Sequence, residues 1–223
     1  MKQILIACSM MEDEIKKVYE ETGCEIPVIW VERGYHNTPD KLKAELQRLI
    51  NSHQDYDEIL LTFGLCGNGT EGIISPKAAL VLPKFDDCIN MLLCLGERKA
   101  RGLLETGSIY LTRGWTLDEE SVLEQYEKYV EDYGEESAEV ILEMMYEHYE
   151  KISVIDTGCY DMAPVLEYAQ KAAGLLDLST QTVKGSTEML KKLLTSQEDV
   201  NIIRKKPGQP VIASDFELDA DNS

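Results

Sequence analysis

No two cysteines in this chain stand in a Cys-x-x-Cys arrangement, although six are present. The local spacings of zinc ribbons and ferredoxin-type clusters are therefore excluded. Basic residues are also scarce: 22 lysines and arginines face 41 aspartates and glutamates, a formal net charge of -19. Such a surface repels phosphate backbones and anionic headgroups, so neither nucleic acid nor a membrane is an expected partner. Long apolar runs are missing too. The N-terminal stretch Ile4 to Cys8 is apolar over only five residues, too short for a secretory core or a membrane span. A cytoplasmic protein is expected, with its cysteines in a reducing compartment. Free thiols, metal ligation or catalysis then outrank structural disulfides.

What is present is a regular alternation. With 223 residues, 43% of them hydrophobic, the chain can bury a sizeable core. Gln3 to Ala7 reads as a strand, and Met11, Ile15, Val18 and Tyr19 fall at helical spacing behind it. The pair recurs: Ile26 to Val31 precedes a helix from Pro39 to about His53, with Leu42, Leu46, Leu49 and Ile50 on one face. Further strands are expected at Glu58 to Phe63, Ala78 to Leu82, Ser108 to Thr112, Lys151 to Ile155, Thr182–Val183 and Val200 to Ile203. Leu117 to Glu150 reads as an acidic helical segment hinged near Gly134, whose tyrosines and methionines are expected to pack.

The fold class that follows is α/β, a mostly parallel sheet with helices on both faces. Residues 1–214 form either a single domain or two lobes meeting near 113–150, followed by an acidic flexible tail over 215–223.

Four cysteines, Cys8, Cys66, Cys88 and Cys159, fall just beyond the ends of expected strands. Parallel strands bring such ends to one edge, where open α/β sheets bind their ligands. Helix N-termini and glycine turns there are expected to favour the thiolate. Cys66 is flanked by Gly64 and Gly67, which leave room for close approach of a ligand. Cys24 and Cys94 lack this placement and read as small core residues.

The expected metal ligands are thus Cys66 and Cys88, completed by Cys8 and Cys159, holding zinc or an iron–sulfur cluster. His36, Asn68, Gly67, Asp86 and Asp87 are further site candidates, although acidic residues at a helix start also serve simply as caps. Four glycines within 64–72 could cradle a phosphate, but the segment lacks the Gly-Lys-Ser/Thr ending of a P-loop.

Three ordered blocks, Phe63-Gly64-Leu65-Cys66-Gly67-Asn68-Gly69, Leu82-Pro83-Lys84-Phe85-Asp86-Asp87-Cys88-Ile89 and Tyr110-Leu111-Thr112-Arg113-Gly114-Trp115, stand beside Ala7-Cys8, His36-Asn37 with Pro39, and Pro207-Gly208. Together they resemble the family called domain of unknown function 1638 over nearly the whole chain. That resemblance implies Cys8, Cys66, Cys88 and His36 as site residues; Cys159 rests on strand placement alone. Family members occur in methanogens and other anaerobes, often beside corrinoid-dependent methylamine methyltransferases. The resemblance therefore implies a role in or near methyl-group metabolism, with a corrinoid as a further cofactor or a corrinoid-linked small molecule as substrate. Members commonly carry a histidine two residues before the second cysteine, where this chain has Asp86.

Three functions are compatible with these residues. The first is a metal or cluster protein serving corrinoid-dependent methyl transfer, and the second a zinc-thiolate methyltransferase. The third is an accessory module whose acidic face docks a methyltransferase or corrinoid protein.

Overall fold

The computed structural model describes residues 1–94 and 105–217. Its first half runs β1 (Gln3–Cys8), α1 (Glu12–Thr22), β2 (Val28–Val31), α2 (Pro39–Ser52), β3 (Glu58–Leu61), β4 (Ala79–Pro83) and α3 (Cys88–Leu93). There follow β5 (Ser108–Leu111), α4 (Arg113–Thr116), α5 (Val122–Tyr133), α6 (Glu135–Tyr146), β6 (Lys151–Asp156), α7 (Met162–Leu176) and β7 (Ser179–Lys184). The chain ends with α8 (Glu188–Leu194) and β8 (Ile202–Lys205).

The strands form two sheets rather than one. The larger has the order β2-β1-β3-β4-β8, and the smaller is β5-β6-β7. Every pairing is parallel except β4 with β8, where Leu80 lies opposite Lys205 and Pro83 opposite Ile202. The strand expected at Val200 to Ile203 is therefore present, slightly later, and runs against its neighbour. Four consecutive residues of β1, Ile4 to Ala7, are each no more than 3% exposed. A strand with one wet face would alternate, so this burial means that helices cover both faces of the larger sheet. In the smaller sheet Ile152, Ser153 and Val154 are likewise fully buried.

The helices follow from local chemistry. Pro39 occupies the first turn of α2, where its missing N–H is no loss, and Leu42, Leu46, Leu49 and Ile50 form the buried stripe. Gly23, at φ 67, closes α1 with its N–H on the Tyr19 carbonyl. The hinge at Gly134, φ 83, separates α5 from α6. Packing on this hairpin is looser than the tyrosine and methionine pattern suggests, since Tyr133 and Met144 are 62% and 70% exposed.

The chain leaves the larger sheet between α3 and β5, ahead of the 113–150 segment, and returns to it through α8. Asp215 and Phe216, expected in the acidic flexible tail, are held against the fold. Phe216 is buried in a 3-10 turn over Ala213–Phe216, and Lys205 holds Asp215 at 2.7 Å. Residues 218–223 lie outside the described residues.

The two sheets meet through α4 and the loops after β6 and β7. Arg113 Nη1 donates to both carboxylate oxygens of Asp13 at 2.8 Å. Trp115 packs against the cores of both sheets, and the Ser186 N–H donates to the Leu92 carbonyl at 2.7 Å. Gly114 allows the closest approach: a Cβ there would lie 2.0 Å from the Met10 carbonyl oxygen.

Gly114→Ala should therefore force the sheets apart and cost about 2 kcal/mol or more. Gly174→Ala, in α7 with nothing within 4 Å of the added carbon, should gain up to about 1 kcal/mol of helix propensity. Urea unfolding of the two variants tests the seam; equal stabilities would mean that Gly114 does not set it.

Candidate thiol site at the carboxyl edge

The order of the larger sheet creates a crevice. From β1 the chain moves through α1 to β2 on one side, then through α2 to β3 on the other side of β1. At such a reversal the connections diverge, and the space outside the carboxyl ends of the two central strands stays open. Cys8 is the last residue of β1, Cys66 lies in the turn after β3, and Cys88 opens α3 after β4.

Backbone pairing between the two latter loops sets their positions. The Leu65 N–H donates to the Phe85 carbonyl at 2.8 Å and the Cys66 N–H to the Asp86 carbonyl at 2.7 Å. A Cβ at position 64 would sit 2.3 Å from the Phe85 carbonyl oxygen, so only glycine permits the pairing. On the other flank, Thr62 Oγ1 accepts the Cys8 N–H at 3.0 Å. Asp87 caps α3, accepting the Asn90 N–H at 2.7 Å and the Asn90 side-chain amide at 3.0 Å. That is the plain capping role of an acidic residue at a helix start.

Cys66, Gly67 and Asn68 have φ values of 48, 62 and 73, three successive residues in the left-handed region. The Gly69 N–H closes this turn on the Cys66 carbonyl at 3.0 Å. Glycine takes such a conformation freely and asparagine tolerates it, but for cysteine it costs about 1–2 kcal/mol. Strain of this kind concentrates at sites where a side chain must point in a set direction. Residues 67–72 also carry Gly-x-Gly-x-x-Gly spacing, yet they run as turns instead of opening a helix, so the helix terminus that would hold a pyrophosphate is lacking.

The three thiols are close enough to act on one another. Burial pushes Cys66 up to about 12, with Cys8 and Asp87 adding to the shift. Cys8 is pushed up to about 11, chiefly by burial and against the opposing pull of the Met10 backbone and the Arg33 guanidinium. Cys88 is raised well above the usual thiol value by burial, then by Cys8, Cys66, Asp87 and Glu14. The expectation that helix termini would favour thiolate is thus reversed. Desolvation and neighbouring acids outweigh the short α3, and without a cation the thiols hold their protons. Among the described residues, no three His, Cys, Asp or Glu side chains are already disposed to hold a metal ion. The three thiols are neighbours without forming a coordination shell.

The other sequence candidates are placed as follows. Cys159, after β6, is half-buried with its Sγ 3.4 Å from the Thr157 carbonyl. Burial pushes it up to about 11, and the side chains acting on it are Thr157, Glu14, Glu21 and Lys17, not the three thiols. His36 lies in a 3-10 turn over Arg33–Asn37. Gly67, Asn68 and Asp86 are exposed, and the Asp86 carbonyl serves the loop pairing already described. Cys94 is buried, and Cys24 places its sulfur 3.9 Å from the Leu194 carbonyl.

Glu14 was not singled out by sequence reasoning. Only 1% exposed, it accepts a hydrogen bond from Thr157 Oγ1 at 2.9 Å. Burial pushes its carboxyl up to about 7, against the Thr157 bond and the nearby Arg113. The signal was present in the helical period: Glu14 shares the apolar stripe of α1 with Met11, Ile15 and Val18. Next to Cys8 in the chain, Ser9 borders a cleft of about 310 Å³ between Arg33 and Gly34 on one side and Leu117 to Glu120 on the other.

The family described as Protein of unknown function (DUF1638) matches residues 30–194. The chain belongs to that family. No curated protein and no solved structure matches it. The family match takes in Cys66, Cys88, Cys159 and α4, while Cys8 and Glu14 precede it. Among the described residues, no helix is long and apolar enough to cross a membrane.

Two outcomes follow. Because Glu14 is raised from 4.5 to about 7 in the fold, the native state keeps a proton that the unfolded chain has released. Stability should therefore fall as pH rises from about 4.5 through about 7. Glu14→Gln should remove this slope, gaining on the order of 3 kcal/mol at about pH 8 and almost nothing at about pH 4. Urea midpoints at the two pH values measure it, and parallel pH profiles for variant and wild type would contradict it. Separately, Cys66→Gly should be more stable than Cys66→Ala by about 1 kcal/mol, since both remove the thiol but only glycine relieves the left-handed strain. Thermal unfolding compares them.

Proposed function

We propose that this protein is a thiolate metal protein in which Cys8, Cys66 and Cys88 hold one zinc ion, leaving a fourth position for a small-molecule substrate. The observation that supports it most is that Cys8, Cys66 and Cys88 follow three neighbouring strands of the larger sheet and lie near enough for their charges to act on one another. Cys66 and Cys88 are raised by one or both of their companion thiols. Three converging thiols and a fourth held apart suit a zinc site with an exchangeable position better than a cluster needing four cysteines. Their high pKa values count against a metal-free cysteine nucleophile, which needs thiolate near neutral pH. A soft divalent cation reverses that balance by displacing the protons.

This chain's own groups suit the loading step. Arg33 lies near Cys8 and offsets negative charge. Glu14 acts on Cys88 and titrates at about 7, so it is an acceptor for a departing thiol proton. Zinc with an open position would supply a bound substrate thiolate ready to accept a methyl group, with no protein base required. The methyl-transfer setting, and a corrinoid-linked donor with it, is carried by the family resemblance.

Calorimetric zinc titration of anaerobically prepared, chelator-treated protein at about pH 7, in buffers of different ionisation enthalpy, tests the proposal. One zinc per chain should bind with release of about three protons. Cys66→Ser or Cys88→Ser should weaken binding at least about tenfold, and Cys159→Ser should leave it unchanged. Failure of the wild type to bind zinc would overturn the reading. Stoichiometric iron with visible absorption, lost in Cys159→Ser, would replace it with a four-cysteine cluster.

A further inference from the structure

The smaller sheet holds a recess of about 330 Å³ that the thiol site does not use. Tyr110, Trp115, Tyr146 and Tyr168 contribute to its walls, and Ser121 and Gln125 line it as well. Its volume falls within the range of small-molecule sites, and its walls set four tyrosines and a tryptophan beside Asn37, Asp118, Glu120, Ser121 and Gln125. Two of those polar atoms have no hydrogen-bond partner: Ser121 Oγ, in a residue only 8% exposed, and Gln125 Oε1. Buried polar atoms are nearly always paired, so two orphans on one aromatic recess mark the places where a ligand's polar atoms belong.

The orphans also describe the ligand. Gln125 donates its side-chain N–H to the Glu120 carbonyl, which fixes the amide and leaves Oε1 to accept a hydrogen bond from outside. The Ser121 hydroxyl can donate as well as accept, and it makes no capping bond at the start of α5. Asp118 and Glu120 on the same wall disfavour an anion. We propose that the recess binds a small, flat, uncharged nitrogen heterocycle with an amide-like edge, its N–H on Gln125 and its carbonyl on Ser121, its faces against the tyrosines and Trp115. Asp118 and Glu120 also line the cleft beside Ser9 and Arg33, so a ligand longer than the recess extends toward Cys8. The inference does not rest on zinc; an empty thiol site leaves the recess as it is.

The test uses metal-free full-length protein and two probes, 2-quinolinone and N-methyl-2-quinolinone, by calorimetry. 2-Quinolinone should bind once per chain, and the N-methyl compound, which cannot donate to Gln125, at least about tenfold more weakly. Gln125→Leu should weaken 2-quinolinone by a similar factor. Ser121→Ala should weaken it several-fold while leaving the melting temperature unchanged or higher, because it removes an orphaned hydroxyl and no capping bond. No saturable binding by the wild type would overturn the proposal. So would equal affinity for the two probes, or wild-type affinity in both variants.

Discussion

The structure around the thiols depends on a missing side chain. Gly64 lets the loop after β3 lie against the loop after β4, so that two peptide N–H groups meet two carbonyls across the gap. Those bonds satisfy backbone groups that would otherwise be buried unpaired. They also bring Cys66 beside Cys88 without any contact between the sulfurs having to hold them there. The left-handed turn at Cys66 is the local cost of that arrangement, offset by the pairing around it.

Covering the crevice adds a second level of constraint. α4 lies on the turn after β1, with Gly114 against Met10 and Arg113 gripping Asp13. From the smaller sheet Thr157 reaches Glu14. Trp115 of α4 packs beside Cys88, and burial is the first cause that holds all three thiols above the usual thiol range. Burial that hinders the free thiolate is the same burial that would strengthen its bond to a metal, since attraction grows as the surroundings lose polarity.

Much of this was readable from the residues. Strand and helix alternation was legible because buried parallel strands are short continuous apolar runs and the helices keep a 3.6-residue stripe. The positions of Cys8, Cys66 and Cys88 at strand ends were legible for the same reason. That the strands divide into two sheets was not, because alternation does not say which strands share hydrogen bonds. Nor was the direction of β8, a short strand whose pairing with β4 is set by the return of the chain through α8. Cys159 shows the limit of arguing from strand ends: it follows β6, which belongs to the other sheet, and the charges acting on it are those of Glu14, Glu21 and Lys17. Glu14 itself was overlooked because an acid near a helix start is ordinarily read as complementing the dipole, although its stripe pointed inward.

The smaller sheet is built wholly from residues 108–184, between two stretches that both belong to the larger one. During synthesis Cys8, Cys66 and Cys88 leave the ribosome before α4 and Thr157, while β8, which completes their sheet, comes last. The contacts that the smaller sheet's half makes across this edge are therefore formed only after all three cysteines have been made.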